Sequence, residues 1–193
     1  MDLENYYMGA VEAYTGPKHK LGMSPSTPFF NDGMAIVNVD YCRQNNLIEK
    51  TLRVIEEYNG NPPVLSEGAL NKVCQEKVLF ISPRWSMMSG LYFYGVLSPL
   101  YLAGKLTQYS VSELSNYCSN PVIIHYLTGF YNRPWYSPCS HPLKHLYYKY
   151  QRMSMWKEIE PTHSSLPIRL RLISFYMKHK VLIIKYISKI WMR

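Results

Sequence analysis

A run of four apolar residues, Pro121-Val122-Ile123-Ile124, stops at a histidine, His125, and is followed by Gly129 and then by Arg133-Pro134-Trp135. A short apolar run that opens on proline reads as a buried strand, and a buried strand holds its last side chain rigidly. The glycine lets backbone approach a bulky anion, and the arginine offers a planar fork of donors that matches phosphate oxygens. Such a segment would hold a metal-bound diphosphate, with His125 binding the metal through a neutral imidazole and Arg133 offsetting charge on a leaving phosphate. A lone histidine after a strand is as a rule a satisfied core or loop residue. The weight comes from the conjunction of His125, Gly129 and Arg133-Pro134-Trp135 over eleven residues, with Trp135 as a packing anchor.

Around this segment, short strands alternate with helices, which predicts an α/β domain. Residues 34–39 read as a strand after Phe29-Phe30-Asn31-Asp32-Gly33, and Asn46 with Glu49 forms a candidate capping box for a helix over 47–58. Gly60, Pro62 and Pro63 stop it. Ser66 is placed to cap a shorter helix through Cys74, residues 78–81 read as a buried strand, and Ser112 opens a brief helix near Glu113. Residues 84–108 are rich in Tyr, Leu and Gly without clean periodicity and read as strand and loop.

The 193 residues suit one domain, and 47% hydrophobic content is enough for a core. Cys42, Cys74, Cys118 and Cys139 are scattered, without CxxC spacing, which predicts free thiols in a reducing cytoplasm. The opening Met1-Asp2-Leu3-Glu4-Asn5 is acidic and polar and does not read as a secretory leader, and no apolar stretch reaches the length a spanning helix needs.

The formal charge of +8 is unevenly placed. Residues 1–160 carry 14 Lys and Arg against 13 Asp and Glu, whereas 161–193 carry seven cations and no acid. In 166–193 the cations are interleaved with Leu, Ile, Phe, Tyr, Met and Trp, and at helical spacing they sort into two faces. Arg171, Ser174, Lys178, Lys185 and Lys189 share one side, while Leu172, Ile173, Tyr176, Ile183, Ile184, Ile187, Ile190 and Trp191 spread over the opposite side, with Arg169 and Lys180 among them and having to snorkel. Two readings stand: a helix in the interface of an anionic membrane, or a C-terminal helix packed on the domain with a solvated basic rim. Nucleic acid is not expected, because the body has no basic stripe to extend the footprint.

Two further clusters carry candidate chemistry. In Phe30-Asn31-Asp32-Gly33, Asn31 and Asp32 have groups that hydrogen-bond sugar hydroxyls, although Asn-Asp-Gly before a strand is equally an ordinary turn. In Ser66-Glu67-Gly68-Ala69-Leu70-Asn71, the first turn of a helix presents a carboxylate; alone, it is a capped helix start.

Taken in order, the three clusters resemble the carboxyl-terminal half of glycosyltransferase family 8, the retaining bacterial transferases of lipopolysaccharide and capsule. That family shows an aromatic-Asn-x-Gly strand entry, an acidic-Gln-acidic-x-Leu-Asn segment, and a strand ending in His with Gly and Lys-Pro-Trp or Arg-Pro-Trp behind it. The likeness extends over about residues 6–156, including Ser140-His141-Pro142 and the aromatic stretch 147–156. It implies that 1–160 is the carboxyl-terminal part of a GT-A domain and that 161–193 is a basic helical tail. It also implies a nucleotide-diphosphate sugar donor, a glycan or glycolipid acceptor and a divalent ion, usually manganese. On that resemblance His125 is the metal ligand, Gly129 and Arg133 face the diphosphate, and Asn31, Asp32, Gly33 and Ser66 line the donor sugar. Glu67 sits near the anomeric centre, where the family usually has glutamine. The tail would place the protein on the inner face of the cell membrane.

The chain also departs from the pattern. Ser66, Glu67 and Gly68 replace the acidic-Gln-acidic set, and the spacing from His125 to Gly129 and on to Arg133 is stretched. The family's Asp-x-Asp, which ends its amino-terminal nucleotide-binding half, occurs nowhere in the 193 residues. A lone histidine does not replace two carboxylates around a hard divalent ion. The expectation is a chain with little transferase activity by itself, as a piece of a transferase completed by a separately encoded amino-terminal half. The alternative is a non-catalytic remnant that binds anionic membrane or a protein partner through its tail.

Overall fold

The structure is a computed structural model that describes residues 1–13, 16–94, 109–127, 133–137, 139 and 141–163. Its centre is a three-stranded sheet of β1 (Met8–Ala13), β2 (Phe29–Val37) and β3 (Val78–Ile81), in the order β2-β1-β3. β1 runs antiparallel to β2 and parallel to β3. Between β2 and β3 the chain forms α1 (Val39–Gln44), α2 (Leu47–Glu57) and α3 (Leu65–Cys74). This is the mixed α/β arrangement that the alternation of elements predicts.

Burial explains the order. Tyr7, Met8, Ala10 and Val78 from the sheet region, Phe30 from β2, Leu47 from α2 and Cys74 from α3 form one buried cluster. Phe29 turns to the other side and closes a second cluster with Ala13, Leu21 and Met23. Phe29 and Phe30 are each 1% exposed, and burying each side chain contributes about 2 to 3 kcal/mol.

The strand expected over 34–39 begins five residues earlier, at Phe29, and pairs with β1. Asn31-Asp32-Gly33 is therefore not a turn ahead of the strand. Ala10 pairs with Ala35 but Val11 pairs with Asn31, so residues 32–34 bulge out of the ladder. A bulge re-aims side chains and lets the backbone leave the sheet locally.

Two helix starts also differ from expectation. Asn46 precedes α2 in a left-handed conformation, φ 52°, and makes no side-chain cap; Glu49 instead pairs with Arg53 at 2.6 Å. Ser66 lies inside α3, whose entry passes through Val64 and Leu65 at φ 55° and 53°. A β-branched residue in that region is strained, so packing rather than a cap sets the start of α3. The brief helix near Glu113 is α5 (Val111–Ser119), and its cap is Ser110, two residues ahead of Ser112.

After β3, a 3-10 turn (Pro83–Ser86) leads to β4 (Met87–Met88) and α4 (Ser89–Tyr94). β4 pairs in parallel with β5 (Ile124–His125), matching Met88 to His125. The expected buried strand over 121–125 is thus only two residues long, and Val122 and Ile123 are exposed at 48% and 41%. Arg84 holds their backbone instead, its carbonyl accepting from both amides at 2.9 and 3.0 Å. Beyond lie β6 (Tyr136–Ser137), α6 (Lys144–Arg152) and β7 (Thr162–His163), with β6 and β7 paired in parallel. Among the described residues no helix is long and apolar enough to cross a membrane. The tail proposed over 166–193 lies outside the described residues.

Candidate active site

The bulge of β2, the first turn of α3 and the end of β5 meet at one place. Asn31, 5% exposed, is the centre of the group. Its Nδ2 donates to Glu67 Oε2 at 2.8 Å, and its Oδ1 lies 3.0 Å from His125 Nδ1. The same oxygen accepts from the Gly33 amide at 3.1 Å. At the rim, Ser66 Oγ donates to Asp32 Oδ2 at 3.1 Å.

Each side chain is delivered by a different device. Asn31 is the last paired residue before the bulge, and the bulge returns the backbone of Gly33 to its own side chain. Glu67 is fixed through Asn71, one helical turn on. Asn71 Nδ2 donates to the Glu67 carbonyl and also to the carbonyl of Phe30, while Asn71 Oδ1 accepts from the Phe30 amide, all at 2.8 Å. His125 is held by the β4 pairing and by Ser89, whose hydroxyl donates to the His125 carbonyl at 3.2 Å.

Two glycines mark close approaches. A Cβ on Gly33 would run into the His125 ring and come within 2.8 Å of Asn31 Oδ1. A Cβ on Gly68 would strike the Pro63 carbonyl. The segment 66–68 therefore has room for a carboxylate at 67 and for no side chain at 68.

Electrostatics separate the two titratable groups. Burial pushes the Glu67 carboxyl up to about 7, and the charge of Asp32 adds to the rise, against hydrogen bonds from the Asn31 amide and the Asp32 backbone. Burial holds the His125 imidazole below its ordinary value, with Asp32 acting the other way. A neutral imidazole beside a carboxyl that titrates near neutrality is the kind of perturbed pair that marks functional sites.

Asn31, Asp32, Gly33, Ser66, Glu67 and His125 are thus brought together in one place. Arg133 is not joined to them by a hydrogen bond among the described residues; its guanidinium lies 6.0 Å from the Trp135 ring centroid, in a cation–π arrangement. Gly129 lies outside the described residues. Among the described residues there is no group of three or more His, Cys, Asp or Glu that would hold a metal ion. His125 on its own does not fit a divalent ion that prefers several oxygens.

Sequence reasoning missed Ser86 and Ser89, which are 1% and 0% exposed. Ser86 Oγ is 3.4 Å from both Asn31 Oδ1 and His125 Nδ1. Both serines lie in the stretch without periodicity, where no local signal points to them. On the far side of β5, Ile124 and Tyr126 line a cavity of about 620 Å³ with Leu146, Tyr147, Trp156 and Ile159. It is separated from the Asn31 group by the strand itself, because neighbouring side chains on a strand face opposite ways.

Comparison with known proteins bears on the family and the fold. General stress protein A of Bacillus subtilis is 26% identical over 164 residues, which are 82% of this chain and 54% of that protein. Glycosyltransferase GlyB of Streptococcus pneumoniae is 28% identical over 159 residues, 82% of this chain and 35% of that protein. The chain thus spans about half the length, or less, of these relatives. Its fold matches that of the galactosyltransferase LgtC, solved with donor and acceptor sugar analogs, at a TM-score of 0.61 and 18% identity, covering 89% of this chain and 57% of that one. The fold is accordingly that of part of a GT-A glycosyltransferase domain. The family described as Glycosyl transferase family 8 matches residues 1–139, and the chain belongs to that family.

Proposed function

We propose that this chain carries the sugar-transfer side of a retaining glycosyltransferase site. It would move a hexose from a nucleotide-diphosphate donor to a lipopolysaccharide- or capsule-type glycan. The observation that carries this reading is Asn31, which joins the Glu67 carboxyl to the His125 imidazole on a bulged strand. Glu67 would face the anomeric centre and, when ionised, stabilise an oxocarbenium-like sugar. Asp32, Gly33 and Ser66, at the exposed rim, would meet sugar hydroxyls. Arg133, with Gly129, would meet the diphosphate, whose departure is eased by positive charge.

In the family a divalent ion neutralises the leaving diphosphate. The described residues do not make such a site, and the sequence holds no Asp-x-Asp. We therefore assign the missing donors to a separate nucleotide-binding segment, and expect little turnover without it. The basic segment 166–193 would bring the site to an anionic membrane. That role is tested by co-sedimentation with anionic vesicles, where equal retention after removal of the segment would refute it.

The central test is nucleotide-sugar hydrolysis by the purified chain, alone and with a family 8 nucleotide-binding half carrying Asp-x-Asp supplied in trans. The expected result is negligible turnover alone and manganese-dependent turnover in the mixture, reduced at least about 100-fold by Glu67→Ala. Turnover by the chain alone that disappears in His125→Ala would overturn the dependence on a second segment. A complemented mixture in which Glu67→Ala has no effect would overturn the assignment of the site.

A further inference from the structure

We infer that Asn31 is a positioning residue whose side-chain carbonyl holds His125 in the Nδ1–H tautomer, leaving the Nε2 lone pair free to meet a ligand. The orientation of the Asn31 amide is fixed from two sides. The Gly33 backbone N–H can only donate, so the atom 3.1 Å from it must be the oxygen. The Glu67 carboxylate accepts, which matches the nitrogen 2.8 Å away. With the oxygen so placed, His125 Nδ1 at 3.0 Å has to carry the hydrogen. The other tautomer would set a nitrogen lone pair against an oxygen lone pair at that distance, in a part-buried contact where such an opposition is costly.

Ser86 does not compete for this assignment. At 3.4 Å its hydroxyl is too long for a good O–H···O bond to Asn31, and it is equally far from His125 Nδ1. Gly33 permits the arrangement, because a Cβ there would occupy the space in which the His125 ring stands against the bulge. Nε2 takes no hydrogen bond among the described residues. In a histidine that serves as a ligand, the partner of one ring nitrogen decides what the other can do. The use of Nε2 as a donor atom rests on the function proposed above. The tautomer does not, since it follows from the hydrogen bonding alone.

The test is a long-range ¹H–¹⁵N correlation spectrum of the histidine rings in the full chain, with His125 assigned by its loss in His125→Gln. At a pH where the ring is neutral, Nδ1 should give a protonated, pyrrole-type signal and Nε2 an unprotonated, pyridine-type one. Asn31→Asp keeps an acceptor facing Nδ1 and, although it loses the bond to Glu67 and sets a second carboxyl against it, should retain that pattern where the variant folds. Asn31→Leu removes the acceptor and should move the ring toward the Nε2–H form that free histidine favours in water. A pyridine-type Nδ1 in the unaltered chain would overturn the inference, whether or not either variant folds. So would an unchanged pattern in folded Asn31→Leu. Because no turnover is measured, failure of the transferase reading would leave this result intact.

Discussion

Asn71 treats Phe30 as a neighbouring strand would: its Oδ1 accepts from the Phe30 amide and its Nδ2 donates to the Phe30 carbonyl, both at 2.8 Å. β2 is an edge strand, and these two bonds satisfy backbone groups that would otherwise face α3 unpaired. Asn71 is 1% exposed, so water cannot replace it.

Removing that side chain should be among the most costly single changes in the domain. Asn71→Ala leaves one buried donor and one buried acceptor unsatisfied and is expected to destabilise by about 3 kcal/mol. Asn71→Asp keeps the acceptor for the Phe30 amide but sets a carboxylate against the carbonyls of Phe30 and Glu67, and should cost at least as much. Urea unfolding at neutral pH, with an unchanged slope and a lowered midpoint, is the measurement.

Gly33→Ala should act through His125. The added methyl would meet the imidazole and the Asn31 oxygen, so the ring has to leave its hydrogen bond. The expected loss is about 1 to 3 kcal/mol, accompanied by a shift in the His125 ring signals. Gly22→Ala is the contrast: nothing lies within 4 Å of its added methyl, and only its left-handed backbone, φ 69°, opposes the change. It should leave His125 unmoved.

How legible the chain is in its sequence can be argued from these residues. Residues 78–81 form the strand their apolar run predicts, and α2 and α3 fall close to the expected spans, because length and punctuation by Gly and Pro are local signals. The family likeness also singled out Asn31, Glu67 and His125, each in a separate role. Local reading fails where tertiary contacts decide. Asp32-Gly33 looks like a turn, but pairing with β1 carries the strand through it as a bulge. β1 itself, Met-Gly-Ala-Val-Glu-Ala, has too little alternation to announce a central strand. Asn46 and Ser66 look like caps, yet one lies in a left-handed turn and the other bonds Asp32. Nothing local shows that Asn31 spends its amide on Glu67 and His125.

Ser110 is the cap that does form, and it predicts a smaller effect. Its hydroxyl accepts from the Glu113 amide at 3.2 Å while Glu113 Oε2 accepts from the Ser110 amide at 2.8 Å, a reciprocal capping box. Ser110→Ala should cost about 1 kcal/mol. Ser112→Ala, at the second residue of the helix, should cost less, and thermal unfolding of the two variants side by side would distinguish the cap from a serine inside the first turn.

Glu67 gives a pH dependence whose sign is opposite to that of an ordinary paired carboxylate. Its folded value lies near 7, above the unfolded one, because burial and Asp32 disfavour the charged form. Below the unfolded value the group is protonated in both states and contributes nothing. As pH rises toward 7 the unfolded chain loses its proton first, so stability falls across that window and levels off above it. Glu67→Gln has no charge to bury and keeps an oxygen for the Asn31 amide. It should therefore match the parent near pH 4 and exceed it above pH 7 by about 1 kcal/mol, a figure reduced to allow for partial solvent screening. Midpoints of urea unfolding between pH 4 and 8 would show the two curves separating as pH rises. Parallel curves, or a parent that gains on the variant above pH 5, would mean that Glu67 is not held in the raised state its surroundings impose.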